Sequence, residues 1–214
     1  MRSLVLVSLL LLAAPARAQV ELSFYGGWQG APNSGVTIAG DAAIPDTDVT
    51  AGWEGRPFEA PPQYGIRATW WTQGGLGFGV ELNHAKVYAD AETLAETGLD
   101  RLEFSDGLNI LTVNGMRRWP GAFGMATPYL GAGVGVAVPR VEVVGEGSET
   151  FEYQITGPAV SWMAGASVPI TDRWSVFGEY KGTYSRNEAD LAGGGTLETD
   201  IVTNAVNLGV SFSF

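Results

Sequence analysis

The last fourteen residues of the chain, Ile201–Phe214, alternate between apolar and polar side chains. Val206, Leu208 and Val210 share one parity, and the residues between them are polar or small. A period of two is typical of a β-strand with one face in an apolar medium and one face in a polar interior. Since this strand ends in an aromatic residue, the pattern indicates a strand of a barrel in a bacterial outer membrane.

The first eighteen residues have the three parts of an export signal. Arg2 supplies a positive charge, Leu4–Ala14 an apolar run, and Ala16–Ala18 a small-x-small cleavage site before Gln19. The run is too short for a transmembrane helix, and no later segment reaches 18 consecutive apolar residues. We therefore predict a cleaved signal peptide over 1–18 and a barrel domain over 19–214.

Composition excludes several classes of function. The chain has no cysteine, which removes disulfides, thiolate metal sites and cysteine nucleophiles. Its formal net charge of −11 argues against a nucleic-acid partner, because nucleic-acid binding needs cationic groups. Only 16% of the residues are charged and 30 are glycines, which suits strands that cross lipid.

The connections between period-two segments predict the architecture. Short and longer linkers alternate, and the two longest, residues 30–61 and 89–107, are predicted to be external loops. An even number of strands with alternating turns and loops is typical of an up-and-down outer-membrane barrel with both termini periplasmic. The predicted fold is all-β, an eight-stranded antiparallel transmembrane β-barrel, with strands at Val20–Trp28, Gln63–Thr72, Leu76–Tyr88, Leu108–Trp119, Thr127–Val143, Tyr153–Val168, Trp174–Ser185 and Thr196–Phe214.

Aromatic residues gather at both ends of these segments, as the two interfacial belts of a membrane barrel do. A soluble barrel or sandwich is the alternative, and it would place the apolar parity inside. The residues expected to face lipid include Leu130, Val134, Val136, Trp162, Leu208 and Phe212. The expected belts are Trp70, Trp71, Trp119, Trp174, Phe212 and Phe214 beside the short turns, and Trp28, Tyr64, Tyr88 and Tyr184 beside the long loops.

Polar residues of the opposite parity are predicted to fill a narrow lumen. Arg67 and Glu81 lie on adjacent strands and are expected to pair, and Lys181 is expected to pair with Glu179 or a neighbour. A polar plug is the structural interpretation and a catalytic site is the alternative. Gly131, Gly133 and Gly135 alternate within a strand, so they are expected to leave room for larger lumen side chains rather than to bind a nucleotide.

The only histidine, His84, has lipid parity near a long loop, and Lys86 and Tyr88 continue that parity. We expect the three side chains on the outer surface, at the height of the lipopolysaccharide head groups. His84 has a suitable reference pKa for proton transfer, and Lys86 suits a lipid phosphate. The alternative is a trio of amphipathic anchors that snorkel to the interface. A lipid A deacylase would need a serine beside the histidine, but Lys86 occupies the position two residues after it.

The two long loops carry most of the acidic residues, and their carboxylates suit Mg²⁺ or Ca²⁺. No Asp-x-Asp-x-Asp-Gly spacing occurs, so solvated loops are the alternative. A short helix is predicted over 91–98, ending at Gly98. The acidic residues are Asp41, Asp46, Asp48, Glu54 and Glu59 in the first loop, and Asp90, Glu92, Glu96, Asp100, Glu103 and Asp106 in the second.

Three segments resemble the lipid A oxidase family of outer-membrane barrels: Gly79–Asp90, Ala51–Phe58 and Tyr64–Trp71. The resemblance covers the chain from Gly26 onwards. It implies oxidation of the proximal glucosamine of lipid A to 2-aminogluconate with molecular oxygen. The resemblance supplies no active-site motif of the family that could be assigned to residues of this chain.

Two hypotheses of different classes follow. The first is a Gram-negative oxidoreductase acting on lipid A at the outer leaflet, with His84, Lys86 and Tyr88 as catalytic residues. The second is a non-enzymatic structural or adhesive barrel. No flavin or nicotinamide site is visible, so molecular oxygen and a divalent cation are the cofactors left open. Expected partners are lipopolysaccharide and the outer-membrane barrel assembly machinery, with the protein itself monomeric.

Overall fold

A computed structural model describes residues 19–214, so the predicted signal peptide lies outside the described residues. Eight long antiparallel strands form a closed ring, and the last of them pairs with the first from Glu21–Ser213 to Gly30–Asn204. The predicted eight-stranded antiparallel barrel is confirmed. In ring order the strands are β1 (Gln19–Gly30), β5 (Tyr64–Trp71), β6 (Leu76–Ala89), β7 (Arg101–Arg118), β8 (Thr127–Ala137), β11 (Gly157–Pro169), β12 (Trp174–Asp190) and β13 (Thr196–Ser213).

The long connections are folded rather than irregular. They form β2 (Ser34–Ala39), β3 (Thr47–Ala51), β4 (Trp53–Glu54), α1 (Ala91–Thr97), β9 (Arg140–Gly145) and β10 (Ser148–Tyr153). β2 continues along β13 beyond the end of β1, β4 continues along β6 beyond β5, and β9 continues along β7 beyond β8. We call these elements, with the ends of β6, β7, β12 and β13 that they extend, the cap.

The strand β13 shows how barrel and cap differ. In the barrel its exposed residues are apolar, such as Val206 and Leu208, and its interior residues are polar, such as Asn207. In the cap the order reverses, because Leu197 and Ile201 are buried while Glu198 is exposed. One strand therefore crosses from an apolar surrounding to a polar one. The sequence analysis assigned only the barrel half of this pattern.

An apolar core fills the cap. It draws on β2, β6, β7, β9, β12 and β13, and it includes Val36, Val87, Phe104, Val143 and Leu197, each fully buried. Helix α1 packs beside β3 and has the predicted end, because Gly98 adopts a left-handed φ of 69°. Asp90 caps its start by accepting a hydrogen bond from the Thr93 amide at 2.8 Å.

Four predicted segments differ from the observed strands by more than two residues. β11 begins at Gly157 rather than Tyr153, and β12 continues beyond Ser185 to Asp190. The other two differ for local reasons. The predicted strand Thr127–Val143 is two strands, β8 and β9, because the chain breaks at Pro139, which has no amide hydrogen for the ladder. β7 begins at Arg101 rather than Leu108, and its pairing with β6 shifts at a bulge between Ala85 and Val87.

All six residues expected to face lipid lie on the outside of the ring, with Leu208 75% exposed. The belt beside the short turns includes Trp70, Trp119 and Trp174, all exposed. Trp71 was predicted in this belt, but it lies inside the barrel beneath Arg118, whose guanidinium is 4.4 Å from its ring centre. Trp70 and Trp71 are adjacent, so only one of them can face outwards.

Asp41 ties three connections of the cap together. One carboxylate oxygen accepts from the amides of Ala43 and Ile44 at 2.9 and 3.0 Å, and the other accepts from Gly193 and Ser148 at 3.0 and 3.2 Å. These bonds, foremost those from Ile44 and Ala43, hold the pKa of the Asp41 carboxyl below its ordinary value of 3.8.

We expect Leu208→Arg to destabilise the barrel by about 2–4 kcal/mol in vesicles, because an arginine would face the middle of the apolar belt. Glu198→Arg lies on the same face of β13, ten residues earlier in the cap, and should leave stability near the wild-type value. Urea unfolding in phospholipid vesicles measures both. Equal effects of the two variants would contradict the boundary between belt and cap.

The stabilisation by Asp41 should depend on pH. Because its pKa is lower in the folded state, its contribution is present above the unfolded pKa and is lost as the pH falls through the folded pKa. We expect Asp41→Asn to lower the urea midpoint of the cap at pH 7, and this difference to shrink as the pH falls below about 4. Asp48→Asn, at an exposed position of β3, is the control. A pH-independent difference would contradict the role of the charge.

Candidate functional site

The lumen is closed by a network of buried charges. Arg67 lies between two carboxylates, with Nη1 3.3 Å from Glu81 Oε1 and Nη2 2.9 Å from Glu179 Oε2. Lys181 Nζ lies 2.8 Å from Glu81 Oε2, so it pairs across the barrel rather than with Glu179 on its own strand. All four side chains are buried. The structure thus brings together the four residues of the predicted polar network.

Neutral groups complete the network. Tyr25 donates to Glu81 at 2.7 Å, Asn114 donates to Glu81 at 3.0 Å, and Tyr129 donates to Glu179 at 2.8 Å. Gly131 and Gly133 leave room for lumen side chains, because a Cβ at Gly131 would crowd Met116 and Met163 and one at Gly133 would collide with Asn114. A lumen cavity lined by Arg67, Trp71, Tyr129 and others holds only about 20 Å³. That is room for about one water molecule, so the described lumen is a plug rather than a channel.

His84, Lys86 and Tyr88 lie on the outer face of β6, as their parity predicts, but they are not exposed. Their exposed fractions are 4%, 0% and 9%. The segment 55–63, which we call the strap, folds over this row on its way from β4 to β5. Glu59 of the strap accepts a hydrogen bond from Lys86 Nζ at 3.0 Å through its backbone oxygen. The expected surface trio is therefore corrected to a covered row.

His84 is oriented by two neighbours. Its ring stacks on Tyr64 with 4.8 Å between centres, and its Nδ1 lies 2.9 Å from Asn109 Oδ1. The amide nitrogen of Asn109 points towards the carbonyls of Gly107 and Val138, at 3.4 and 3.3 Å. The oxygen of Asn109 therefore faces the imidazole, and since that oxygen can only accept, Nδ1 must carry the proton.

This tautomer leaves Nε2 of the neutral imidazole with a free electron pair. Nε2 is buried and has no hydrogen-bond partner among the described residues, so a substrate hydroxyl can reach it only when its cover moves. An oriented imidazole with an unprotonated nitrogen is the arrangement that a general base requires. Gly107 permits it, because its φ is 122° and a Cβ there would meet His84 Nδ1. Sequence reasoning missed Asn109, which lies opposite His84 in the neighbouring strand, and Gly107, which lies in the bulge two residues before it.

A groove of about 520 Å³ opens on the outer face beside His84. Ligand sites of this kind commonly enclose about 300–1,000 Å³. Its lower wall is apolar and includes Leu82 and Leu111, which continue the belt. Polar groups stand at the upper end. We call it the His84 groove, and it is lined by Pro61, Tyr64, Leu82, His84, Asp106, Asn109, Leu111, Val138 and Tyr153.

Several of the acidic residues predicted as a cation site have other contacts. Asp46 accepts from the Gly40 amide at 2.8 Å, Glu54 pairs with Arg56 at 2.7 Å, and Asp106 pairs with Arg140. Within residues 19–214 no three His, Asp or Glu side chains are gathered so that they could hold a metal ion. Nor does that part of the chain contain a helix long and apolar enough to span a bilayer.

Removing Arg67 should leave two buried carboxylates with one lysine. We expect Arg67→Met to destabilise the barrel by about 3–5 kcal/mol, the usual cost of breaking a buried ion pair. Arg173→Met, at an exposed position in a short turn, is the matched control. Urea unfolding and the mobility of unboiled samples on SDS gels measure both. A stability of Arg67→Met equal to that of the control would contradict the pairing.

Comparison with known proteins supports the fold. Neisserial surface protein A has a similar structure, with a TM-score of 0.52 and 13% identity over 92% of this chain and 96% of that one. Outer membrane protease OmpT from Escherichia coli matches at a TM-score of 0.44 with 9% identity over 95% and 99%, and Ail, the attachment invasion locus protein of Yersinia pestis, at 0.42 with 11% over 92% and 99%. No curated protein sequence matches. Residues 4–214 match the outer membrane protein beta-barrel domain, so the chain belongs to this family and resides in the bacterial outer membrane.

Proposed function

We propose that this protein engages lipid A of the outer leaflet in the His84 groove. In this arrangement the short turns and both termini are periplasmic and the cap is external. The protein would be inserted as a monomer by the barrel assembly machinery. The observation that carries the proposal is the imidazole of His84, whose Nδ1 donates to Asn109 and whose Nε2 has no partner within the described chain.

The walls of the groove suit an amphiphilic glycolipid. Leu82 and Leu111 lie at the height of acyl chains, and His84 and Asp106 lie at the height of a head group. Two aromatic residues of the lining, Tyr64 and Tyr153, are exposed at 37% and 59%. Aromatic rings at this level are typical of a membrane interface. A lipid already in the leaflet would reach the groove without crossing water.

The reaction we propose is the one that the sequence resemblance implies, oxygen-dependent oxidation of the proximal glucosamine. His84 Nε2 would accept the proton of a sugar hydroxyl, and Asn109 would hold the imidazole in the required tautomer. Tyr64 would fix the plane of the ring by stacking. The C1–H bond of the proximal sugar would break, and this hydrogen with its electron pair would pass to molecular oxygen, the acceptor that the resemblance implies, to give hydrogen peroxide with the proton taken up by His84. The lactone formed would then add water to become the 2-aminogluconate, which accounts for the net gain of one oxygen atom. Tyr88, the third predicted catalytic residue, is covered by Arg56, whose guanidinium lies 4.6 Å from its ring centre, so the ring of Tyr88 does not face the groove and we assign it no role in the reaction.

A structural or adhesive barrel is the second candidate, and the cap favours it. The cap has its own apolar core and presents charged outer faces, such as that of Glu188 and Glu198, which lie opposite each other on β12 and β13. A rigid, folded projection of this kind suits contact with a partner outside the cell. This candidate needs no reaction at His84.

Mass spectrometry of lipid A separates the two candidates. The protein is expressed in a Gram-negative host that lacks the activity and whose lipid A carries no proximal phosphate. We expect the lipid A to gain one oxygen atom. His84→Asn should insert normally and lose this product, because the asparagine amide keeps a donor for Asn109 but has no basic nitrogen. Asn204→Ala, on the outer face away from the groove, should retain it.

The outcomes are distinguishable. Unchanged lipid A with the wild-type protein, in the presence of oxygen and divalent cations, would contradict the enzyme and favour the structural barrel. Oxidised lipid A with both the wild type and His84→Asn would keep the enzyme and exclude His84 as its base. Binding of lipid A vesicles that is equal for the wild type and a barrel with the groove filled by Leu82→Trp would exclude the groove itself.

A further inference from the structure

We propose that the strap is a lid over a phosphate subsite centred on Lys86, a subsite that opens beside the His84 groove. This inference rests on the proposed lipid A site and deepens it. The ligand class is the phosphorylated head group of a glycolipid. The sequence predicts a phosphate ligand for Lys86 from its expected position on the outer surface. The structure encloses Lys86 beneath the strap, so a phosphate can reach its ammonium only if the strap opens.

The burial of Lys86 carries the argument. Its side chain is fully buried, and its Nζ donates to the backbone oxygen of Glu59 at 3.0 Å and lies 5.3 Å from the ring centre of Tyr88. An ammonium has three donors, and no ion pair joins Lys86 to a carboxylate among the described residues. Burying a charge without a counter-charge is costly.

The second lysine of the chain provides the comparison. The sequence contains only Lys86 and Lys181. Lys181 is equally buried, but Glu81 neutralises it at 2.8 Å. The fold therefore compensates one lysine with a carboxylate and encloses the other with a backbone carbonyl and an aromatic ring. A phosphate oxygen would give Lys86 the counter-charge that the closed strap does not provide.

The strap is held by contacts that suit opening. Arg56 adopts a φ of 35°, an unfavourable conformation for a residue other than glycine. Its guanidinium covers Tyr88 and pairs with Glu54 at 2.7 Å, but both partners of this ion pair are more than 40% exposed. Exposed ion pairs contribute little to stability. The Gln63 amide donates to Pro57 at 2.7 Å, and the buried Gln63 side chain donates to Asn207 of β13 at 3.3 Å. The end of the strap is therefore anchored in the barrel, and the part that would open is the segment that carries Arg56.

Opening would place the ammonium of Lys86 beside the groove, next to the neutral imidazole of His84. Lys86 and His84 are two residues apart on one face of β6, so their side chains emerge about 7 Å apart along the strand. The long Lys86 side chain can extend from this point away from His84. The imidazole would then reach a hydroxyl of the proximal sugar while the ammonium reaches a phosphate on the distal sugar. Arg56, carried by the strap, would return over the bound phosphate. The acceptor that lacks its proximal phosphate still has the distal one for this subsite.

Amine labelling of the wild-type protein tests the lid, because the chain contains its own control. The protein in phosphatidylcholine vesicles is treated with an acetylating reagent, and acetylation of Lys86 and Lys181 is followed by peptide mass spectrometry. We expect Lys86 to react at least about tenfold faster than Lys181, since only Lys86 has a movable cover. Arg56→Ala should accelerate the reaction of Lys86 further, and Arg173→Ala should not. Lys86 as unreactive as Lys181 in the wild type and in Arg56→Ala would overturn the lid.

Three additions test the ligand. Lipid A that bears a phosphate should slow the labelling of Lys86 about tenfold, because the charge-assisted bond between phosphate and ammonium must break before the amine can react. Lipid A without phosphate should leave the labelling rate unchanged. Equal protection by inorganic phosphate would overturn the glycolipid assignment and leave a small-anion site. Lys86→Met should bind phosphorylated lipid A about tenfold more weakly and phosphate-free lipid A unchanged. If phosphorylated lipid A binds the groove while the labelling rate of Lys86 is unchanged, the phosphate subsite fails and the proposed function stands.

Discussion

Closure of the backbone ladder is the constraint on which the rest of this structure depends. No water in a bilayer core can satisfy a free amide or carbonyl, so a sheet that crosses it must close on itself. Here β13 closes the ring against β1. Closure fixes an inside and an outside for every strand, and eight strands leave an interior that side chains can fill. In a closed ring, successive residues of each strand face lipid and lumen in turn.

The interior is polar in the barrel and apolar in the cap, because lipid surrounds the barrel and water surrounds the cap. At the level of the belt the outer face takes the apolar residues, and the inner face takes Arg67, Glu81, Glu179 and Lys181, which must then neutralise one another. Above the belt, water surrounds the strands, and an apolar core such as that around Phe104 becomes favourable again. Four of the eight ring strands stop at this boundary. In the ladder, β2, β4 and β9 take the places of β1, β5 and β8.

Period-two alternation was sufficient to predict the barrel, its strand number and the lumen charges, because parity is a local property of the chain. It failed where a strand leaves the belt. The reversal within β13, the division at Pro139 and the inward side chain of Trp71 depend on height or on the neighbouring strand. The partner of Lys181 could not be read from the sequence either, since Glu81 reaches it across the lumen from a strand that is not its neighbour.

The candidate site shows the same limit more sharply. Parity placed His84 on the outer face, yet its chemistry depends on Asn109, which lies opposite it in β7, and on the strap, which covers Lys86 from a connection some thirty residues earlier. The tautomer of His84 can be predicted only when its hydrogen-bond partner is known. The burial of Lys86 can be predicted only when the path of the strap is known, and the alternation of residues along a strand does not encode that path. A histidine at the end of a membrane strand is by itself compatible with an anchor. Once its Nδ1 is committed to Asn109 and its Nε2 is left without a partner, the folded chain retains a basic nitrogen that stability does not explain. That leftover nitrogen, next to a lysine enclosed without a counter-charge, is the physical reason to look for chemistry on this face of the barrel rather than within its closed lumen.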